Sequence, residues 1–299
     1  MENLISYELI QKHPQINQIT KNLIFDAETS EWIKDYLNWI NGILRTLPPK
    51  QQTEIINRIS APDGNKFKEA IAELMFLAIR QKANWKWEKD PVINGKTPDY
   101  FVSPEKCKYS FIAEVTVVRH NHPDPNNYVE NGELYSNGVL VDKWPIVTDP
   151  IEQEKRIVNA VLGKYNKYRE ICKKYPFFVC LYIYDFKNNF YLTDYSIQKA
   201  LYYKPDSNDI TNGNAKYFGI LELEEYSSLD GVIVCREEFI DHEKNGYFKP
   251  VLSTHILLNR NSTYRREIIT FCRNNNFSFI RDVDDCKFNN LQGQIIKLY

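Results

Sequence analysis

The stretch FIAEVTVV, Phe111–Val118, sets one charge in the middle of a run of apolar and β-branched residues. Such a run reads as a buried strand. An ionised carboxylate inside a core is costly unless it is paired or holds a metal ion, so Glu114 needs a partner. Side chains alternate along a strand, which puts Ile112, Glu114, Thr116 and Val118 on one face and Phe111, Ala113, Val115 and Val117 on the other. Glu114 and Thr116 therefore face the same way.

Working outward, the run KFKEAIAELMFLAIRQKA after APDGN predicts a helix. NWKWEKDPVI and TPDYFV predict two strands joined by a turn at Asn94, Gly95 and Lys96. Residues 119–150 read as loop from their Asn, Pro and Gly content. Helical spacing returns in residues 150–175, and PFFVCLYIYDF reads as another buried strand. The order is helix, three strands, helix, strand. Short links make the three strands a meander, and the helix permits a crossover to parallel pairing. The expected fold class is α/β, with a mixed central sheet flanked by helices.

On either side lie further elements. Residues 1–60 read as helical, with Ser30 as N-cap of SEWIKDYLNWINGILRTL. Residues 186–299 read as an α/β extension. Its strands are expected at GILELEEY, GVIVCREEF and HILLNR, and its helices at YSIQKALYY and YRREIITFCRNN. The expected organisation is an N-terminal helical region (1–60), a core (61–185) and an extension (186–299) packed as one unit.

The totals suit a globular chain: 299 residues, 43% hydrophobic and 26% charged. A formal net charge of −1 means that nucleic-acid binding would need a local basic patch. The six cysteines form no CxxC pair, which predicts reduced core thiols and argues against zinc. The N-terminal stretch lacks the features of a signal peptide, and no apolar run nears the roughly 20 residues that span a bilayer. A cytoplasmic protein with no membrane partner is expected. P-loop, G-x-S-x-G, HExxH and GxGxxG motifs are absent.

Three acids stand in apolar settings. Glu73 is the only charge in AIAELMFLAI, Glu114 the only one in FIAEVTVV, and Asp99 follows Pro98 beside a strand. If they converge, they suit a hard divalent cation that keeps some of its waters. Such an ion polarises a phosphodiester and acidifies an attacking water. The plainer alternative for Glu114 is a buried acid satisfied by a backbone N–H or a lysine.

Pro98-Asp99, then Glu114-Val115-Thr116, with Glu73 on the preceding helix and a helix and strand following, resembles the PD-(D/E)xK nuclease superfamily. The resemblance covers roughly residues 66–185. It implies a restriction-endonuclease-like αβββαβ core and a Mg²⁺-dependent endonuclease, with Mn²⁺ able to substitute. The implied substrate is DNA, in a prokaryotic restriction or defence role. Asp99 and Glu114 would bind the metal, and Glu73 a second metal or a metal-bound water. Thr116 departs from the pattern, because it stands where the family carries lysine.

A replacement lysine can come from the next helix. At about 100° per residue, Ile157, Val161 and Tyr168 form one apolar stripe, and Lys164 falls within it. A lysine on an inward stripe needs an anionic partner, so Lys164 is the expected fourth catalytic residue. Lys167, at the stripe's margin, is second choice. Thr116, Lys167, His120 and His122 are further candidates for substrate contact. Homodimer formation is one use for the flanking regions. Thr116 also favours a second reading, an inactive nuclease-like module that binds nucleic acid or a protein.

Overall fold

The computed structural model describes residues 4–82, 85–104, 109–118, 127–130, 133–136, 139–142, 152–183, 194–242, 247–274, 279–280 and 294–297. Four helices come first: α1 (Tyr7–Lys12), α2 (Gln18–Thr29), α3 (Glu31–Arg45) and α4 (Pro49–Ile59). Asn17 caps α2 by accepting the Thr20 N–H at 2.9 Å, and its amide donates to the Ile59 and Ala61 carbonyls. One side chain thus starts α2 and ties it to the end of α4. Ser30 stands at the N-cap of α3, but its side chain makes no capping hydrogen bond.

Helix α5 (Gly64–Lys82) leads into a meander of β1 (Lys86–Lys89), β2 (Tyr100–Ser103) and β3 (Phe111–Val118). The link after β1 holds a tight turn. Asn94 and Gly95 both have positive φ, 51° and 72°, and Ile93 bridges to Lys96. Asn-Gly is the pair that tolerates this geometry.

A separate three-stranded antiparallel sheet follows, made of β4 (Asn127–Glu130), β5 (Glu133–Ser136) and β6 (Val139–Asp142). This corrects the expectation of loop at 127–130, 133–136 and 139–142; the rest of 119–150 lies outside the described residues. The signal was present in Asn131-Gly132 and Asn137-Gly138, two hairpin dipeptides spaced one short strand apart.

Helix α6 (Glu152–Cys172) then returns the chain to β7 (Phe177–Ile183), which pairs in parallel with β3. After α7 (Asp194–Tyr202) and the short α8 (Ser207–Thr211) come β8 (Gly231–His242) and β9 (Tyr247–Leu258), a long antiparallel pair. Helix α9 (Arg265–Asn274), β10 (Phe279–Ile280) and β11 (Gln294–Lys297) complete the described chain. The main sheet runs β1-β2-β3-β7-β8-β9-β10, with β11 also on β9. It is mixed and open, and the protein is α/β.

Two hydrophobic clusters cover the sheet's faces. Phe111, Ala113 and Val117 join one that includes α5, the N-terminal helices and α9. Ile112 and Val118 join the other, with α6 and α7. The strand alternation expected of FIAEVTVV is therefore what divides the core. Asp230 anchors the far end of the sheet: its carboxylate accepts the Phe177 N–H at 2.7 Å and the Ser262 hydroxyl.

GILELEEY is not a strand. Its first residues wrap the end of α7, where the N–H groups of Gly219, Ile220 and Leu221 bond to the carbonyls of Lys199, Ala200 and Leu201. These are carbonyls that a helix end otherwise leaves unpaired. Gly219 has φ +62°, and a Cβ there would stand 2.3 Å from the Tyr203 carbonyl oxygen. Ile220 and Leu221 are consecutive and both fully buried, which alternation in a half-buried strand would not allow.

Candidate functional site

β2 and β3 pair from Val102↔Phe111 through Tyr100↔Ala113. At the next step Asp99 and Glu114 stand opposite each other, and β2 has ended. Pro98, which has no N–H, cannot extend the ladder. The side chains take over from the backbone at this fork. Glu114 Oε1 accepts the Asp99 N–H at 2.7 Å, and Asp99 Oδ2 accepts the Val115 N–H at 2.8 Å. Each carboxylate is thus oriented by the other's strand.

Lys164 reaches this pair from α6. Its Nζ lies 2.9 Å from Glu114 Oε2 and 3.4 Å from Asp99 Oδ2. Ile157, Val161 and Tyr168 are fully buried around it on the same helix face. Glu114 is itself fully buried. Burial, then the Asp99 charge, raises its pKa, and Lys164 offsets part of that rise. Burial works against the Lys164 ammonium, but Asp99 and Glu114 outweigh it and the net shift is upward. Lys164 is therefore held charged. One turn further on, the Tyr168 hydroxyl donates to the Thr97 carbonyl at 2.8 Å, just ahead of Pro98 and Asp99. Burial and the nearby Glu114 and Asp99 charges raise its pKa, which keeps it a donor.

Glu73, expected at a second metal or a metal-bound water, does not join this cluster. It extends from α5, on the other face of the sheet. There its carboxylate accepts from Arg58 of α4, from Tyr100 Oη at 2.6 Å, and pairs with Lys89 at 3.0 Å. Burial alone would raise its pKa, but Arg58 and Lys89 prevail and the net shift is downward. Two cations and a phenol occupy the oxygens that a metal would need. Among the described residues, no three His, Cys, Asp or Glu side chains group as a metal ion would require.

Asp99 and Lys164 of the first cluster and Glu73, Arg58 and Lys89 of the second line one cleft of about 520 Å³, with Glu114 buried behind it. Thr116 lines it, half-buried, on the strand that carries Glu114. Lys167 does not reach the acids: it is exposed on α6, with Nζ 4.7 Å from the Tyr168 ring centre. His120 and His122 lie outside the described residues. The lining holds five carboxylates against three cations, Arg58, Lys89 and Lys164. Such a wall attracts a cation before it attracts a phosphate. Asp99 makes both its side-chain contacts through Oδ2, so Oδ1 has no protein partner among the described residues. Glu114 is fully buried, with Oε1 on the Asp99 N–H and Oε2 on Lys164, so Asp99 Oδ1 is the oxygen this pair leaves open.

Sequence reasoning missed Arg58, Lys89, Tyr100 and Asp90. Asp90 lines the cleft at φ 50°, and its N–H bonds to the Asp99 carbonyl at 3.0 Å. Burial raises its pKa. Lys89-Asp90-Pro91 carries only a turn signal, and nothing local marks Arg58 as facing a cleft. The described cysteines, Cys172, Cys180, Cys235 and Cys272, are buried and form no disulfide among the described residues. Among the described residues no helix is long and apolar enough to cross a membrane. Searches of family models, curated proteins and solved structures gave no match.

Proposed function

We propose that the protein is a metal-dependent endonuclease of the PD-(D/E)xK type that hydrolyses phosphodiester bonds in DNA, with Lys164 standing in for the motif lysine. One observation carries the reading. A lysine from the next helix, 50 residues beyond Glu114, pairs with both motif acids where the two strands separate. A buried acid that merely needed neutralising would need one partner, and here the lysine also meets Asp99, which lines an open cleft. The order α5, β1–β3, α6, β7 supports a restriction-endonuclease-like core.

In this reading Asp99 and Glu114 hold Mg²⁺ or Mn²⁺. The ion, when bound, polarises the phosphodiester and acidifies a water. Lys164, held charged, orients the attacking water and stabilises the negative charge that develops on the phosphorane. Tyr168 fixes the Thr97-Pro98-Asp99 segment against α6. Thr116, in the same wall, contacts the substrate. A restriction or defence role is the natural setting for such an enzyme.

The test is cleavage of plasmid and single-stranded DNA with Mg²⁺ or Mn²⁺. Asp99→Ala, Glu114→Ala and Lys164→Ala should each abolish it. Cleavage that survives Asp99→Ala or Glu114→Ala would overturn the site. DNA binding without cleavage under either metal would instead favour an inactive, nuclease-like binding module.

A further inference from the structure

On the α5 side of the cleft stands a cation that the chemistry at Lys164 does not use. Arg58 reaches in from α4, and its side chain is 24% exposed. Nη2 donates to Glu73 and lies 3.9 Å from Glu54 Oε1. Nε is buried with no hydrogen-bond partner. No described residue accepts from Nη1. Lys89, by contrast, is shared between Glu54 at 2.9 Å and Glu73 at 3.0 Å, and its side chain is 9% exposed.

The guanidinium is therefore gripped at one nitrogen and left with donors at the other two. Nε is sealed from solvent, so the donors that a further acceptor can reach are those of Nη1 on the part-exposed side chain. Arginine's planar fork matches phosphate oxygens. A DNA strand whose scissile phosphate sits at Asp99 and Glu114 must lay its other phosphates along the same cleft. That cleft is otherwise mostly acidic, so a cation with donors to offer is what those phosphates require.

We infer that Arg58 binds a backbone phosphate of the DNA next to the one cleaved, with Glu73 and Glu54 as the residues that position its guanidinium. The N-terminal helices thereby become part of the substrate cleft, and Glu73 acts through Arg58 rather than through a metal ion. This rests on the nuclease reading.

The experiment measures the full-length protein binding a fluorescein-labelled DNA duplex in EDTA, by anisotropy, between roughly 50 and 200 mM salt. The slope of log Kd against log salt counts the phosphates neutralised. Arg58→Gln should lower that slope by about 1 and weaken binding about tenfold at the lowest salt. Arg58→Lys should restore the slope. Arg58→Gln leaves Glu73 with one cation fewer, which could unfold the protein. The double variant Arg58→Gln/Glu73→Gln strands no charge and should show the same loss of slope.

A full wild-type slope in either Arg58→Gln protein would overturn the inference. If wild type still cleaves in an Asp99-dependent way, that result leaves the nuclease reading standing. A wild-type protein that neither binds the duplex nor cleaves it would overturn both.

Discussion

Glu114 and Glu73 make an instructive pair. Each is the lone charge of an apolar run, each is buried, and each has lysine for a neighbour. They differ in what surrounds the carboxylate. Glu114 faces a second acid, Asp99, and the two share one lysine. Glu73 faces two cations and a phenol. The first cluster has two acids against one lysine; in the second, Glu73 and Glu54 are matched by Arg58 and Lys89. Their pKa values accordingly move in opposite directions, Glu114 up and Glu73 down. An acid in excess makes a further cation favourable there. An acid matched charge for charge is the signature of a strut.

The largest expected effect breaks the comparison at the chemistry. Glu114→Ala should reduce metal-dependent cleavage at least about a hundredfold, as loss of a group that acts in the transition state does. Glu73→Gln, assayed well below its melting temperature, should leave kcat within a few-fold. A plasmid-nicking time course with both variants decides it. Equal losses would mean that the two carboxylates serve one centre after all.

The next effect is on stability and runs the other way. Removing one member of a buried ion pair costs about 3–5 kcal/mol, because the partner is left charged and unpaired. Glu73→Gln leaves Arg58 with only Glu54, at 3.9 Å, while Lys89 keeps Glu54 at 2.9 Å, so urea unfolding should report a loss at or below the low end of that range. The pH dependence adds a sign. Glu73 is depressed below the ordinary 4.5, so its contribution is present above that value and is lost as pH falls through its folded pKa. Glu114 is raised above 4.5, so the folded state keeps its proton longer and stability falls as pH rises from 4.5 through the folded value. The two Glu→Gln variants should therefore flatten the stability–pH curve in opposite senses.

Lys164→Met tests the excess acid directly. Without the ammonium, Asp99 and Glu114 face each other uncompensated. The melting temperature in EDTA should drop by several degrees, an effect of about 1–2 kcal/mol for a chain of this size. Added Mg²⁺ should then raise it by more than it does in wild type, because a ligand that binds only the folded state stabilises it. No difference between the two Mg²⁺ shifts would mean that the acid pair does not bind the ion.

How much of this was legible follows from where the information lies. Glu114 and its face could be read from the period of one strand, and Lys164 from the period of one helix, because each periodicity is local. Their meeting needed only the parallel crossover that a helix between buried strands implies. Glu73 misled because its apolar run says that it is buried, not what it meets. Arg58 comes from another helix and Lys89 from a strand that reads as ordinary, and the contact exists only once α4 packs on α5. GILELEEY misled for a related reason. Its apolar residues are buried against the end of α7, a tertiary role that no strand or helix period records. The small β4–β6 sheet was announced by its Asn-Gly pairs and was overlooked for the surrounding loop composition.

The smallest expected effect concerns the link between the two halves of the fork. Tyr168 sits four residues after Lys164, so one face of α6 carries both the ammonium that meets the acids and the hydroxyl that holds Thr97. Tyr168→Phe keeps the ring, which is fully buried, and removes only the donor. The Thr97 carbonyl loses one hydrogen bond, worth about 1 kcal/mol. If that bond serves stability alone, denaturant unfolding will show the loss and kcat will not move. If it holds Asp99 in register with Glu114, kcat should fall several-fold with KM unchanged, because misplacing the acid harms the transition state more than it harms binding. The comparison between the two buried glutamates predicts the second result, since Asp99 and Glu114 act as a pair in which each is oriented by the other's strand.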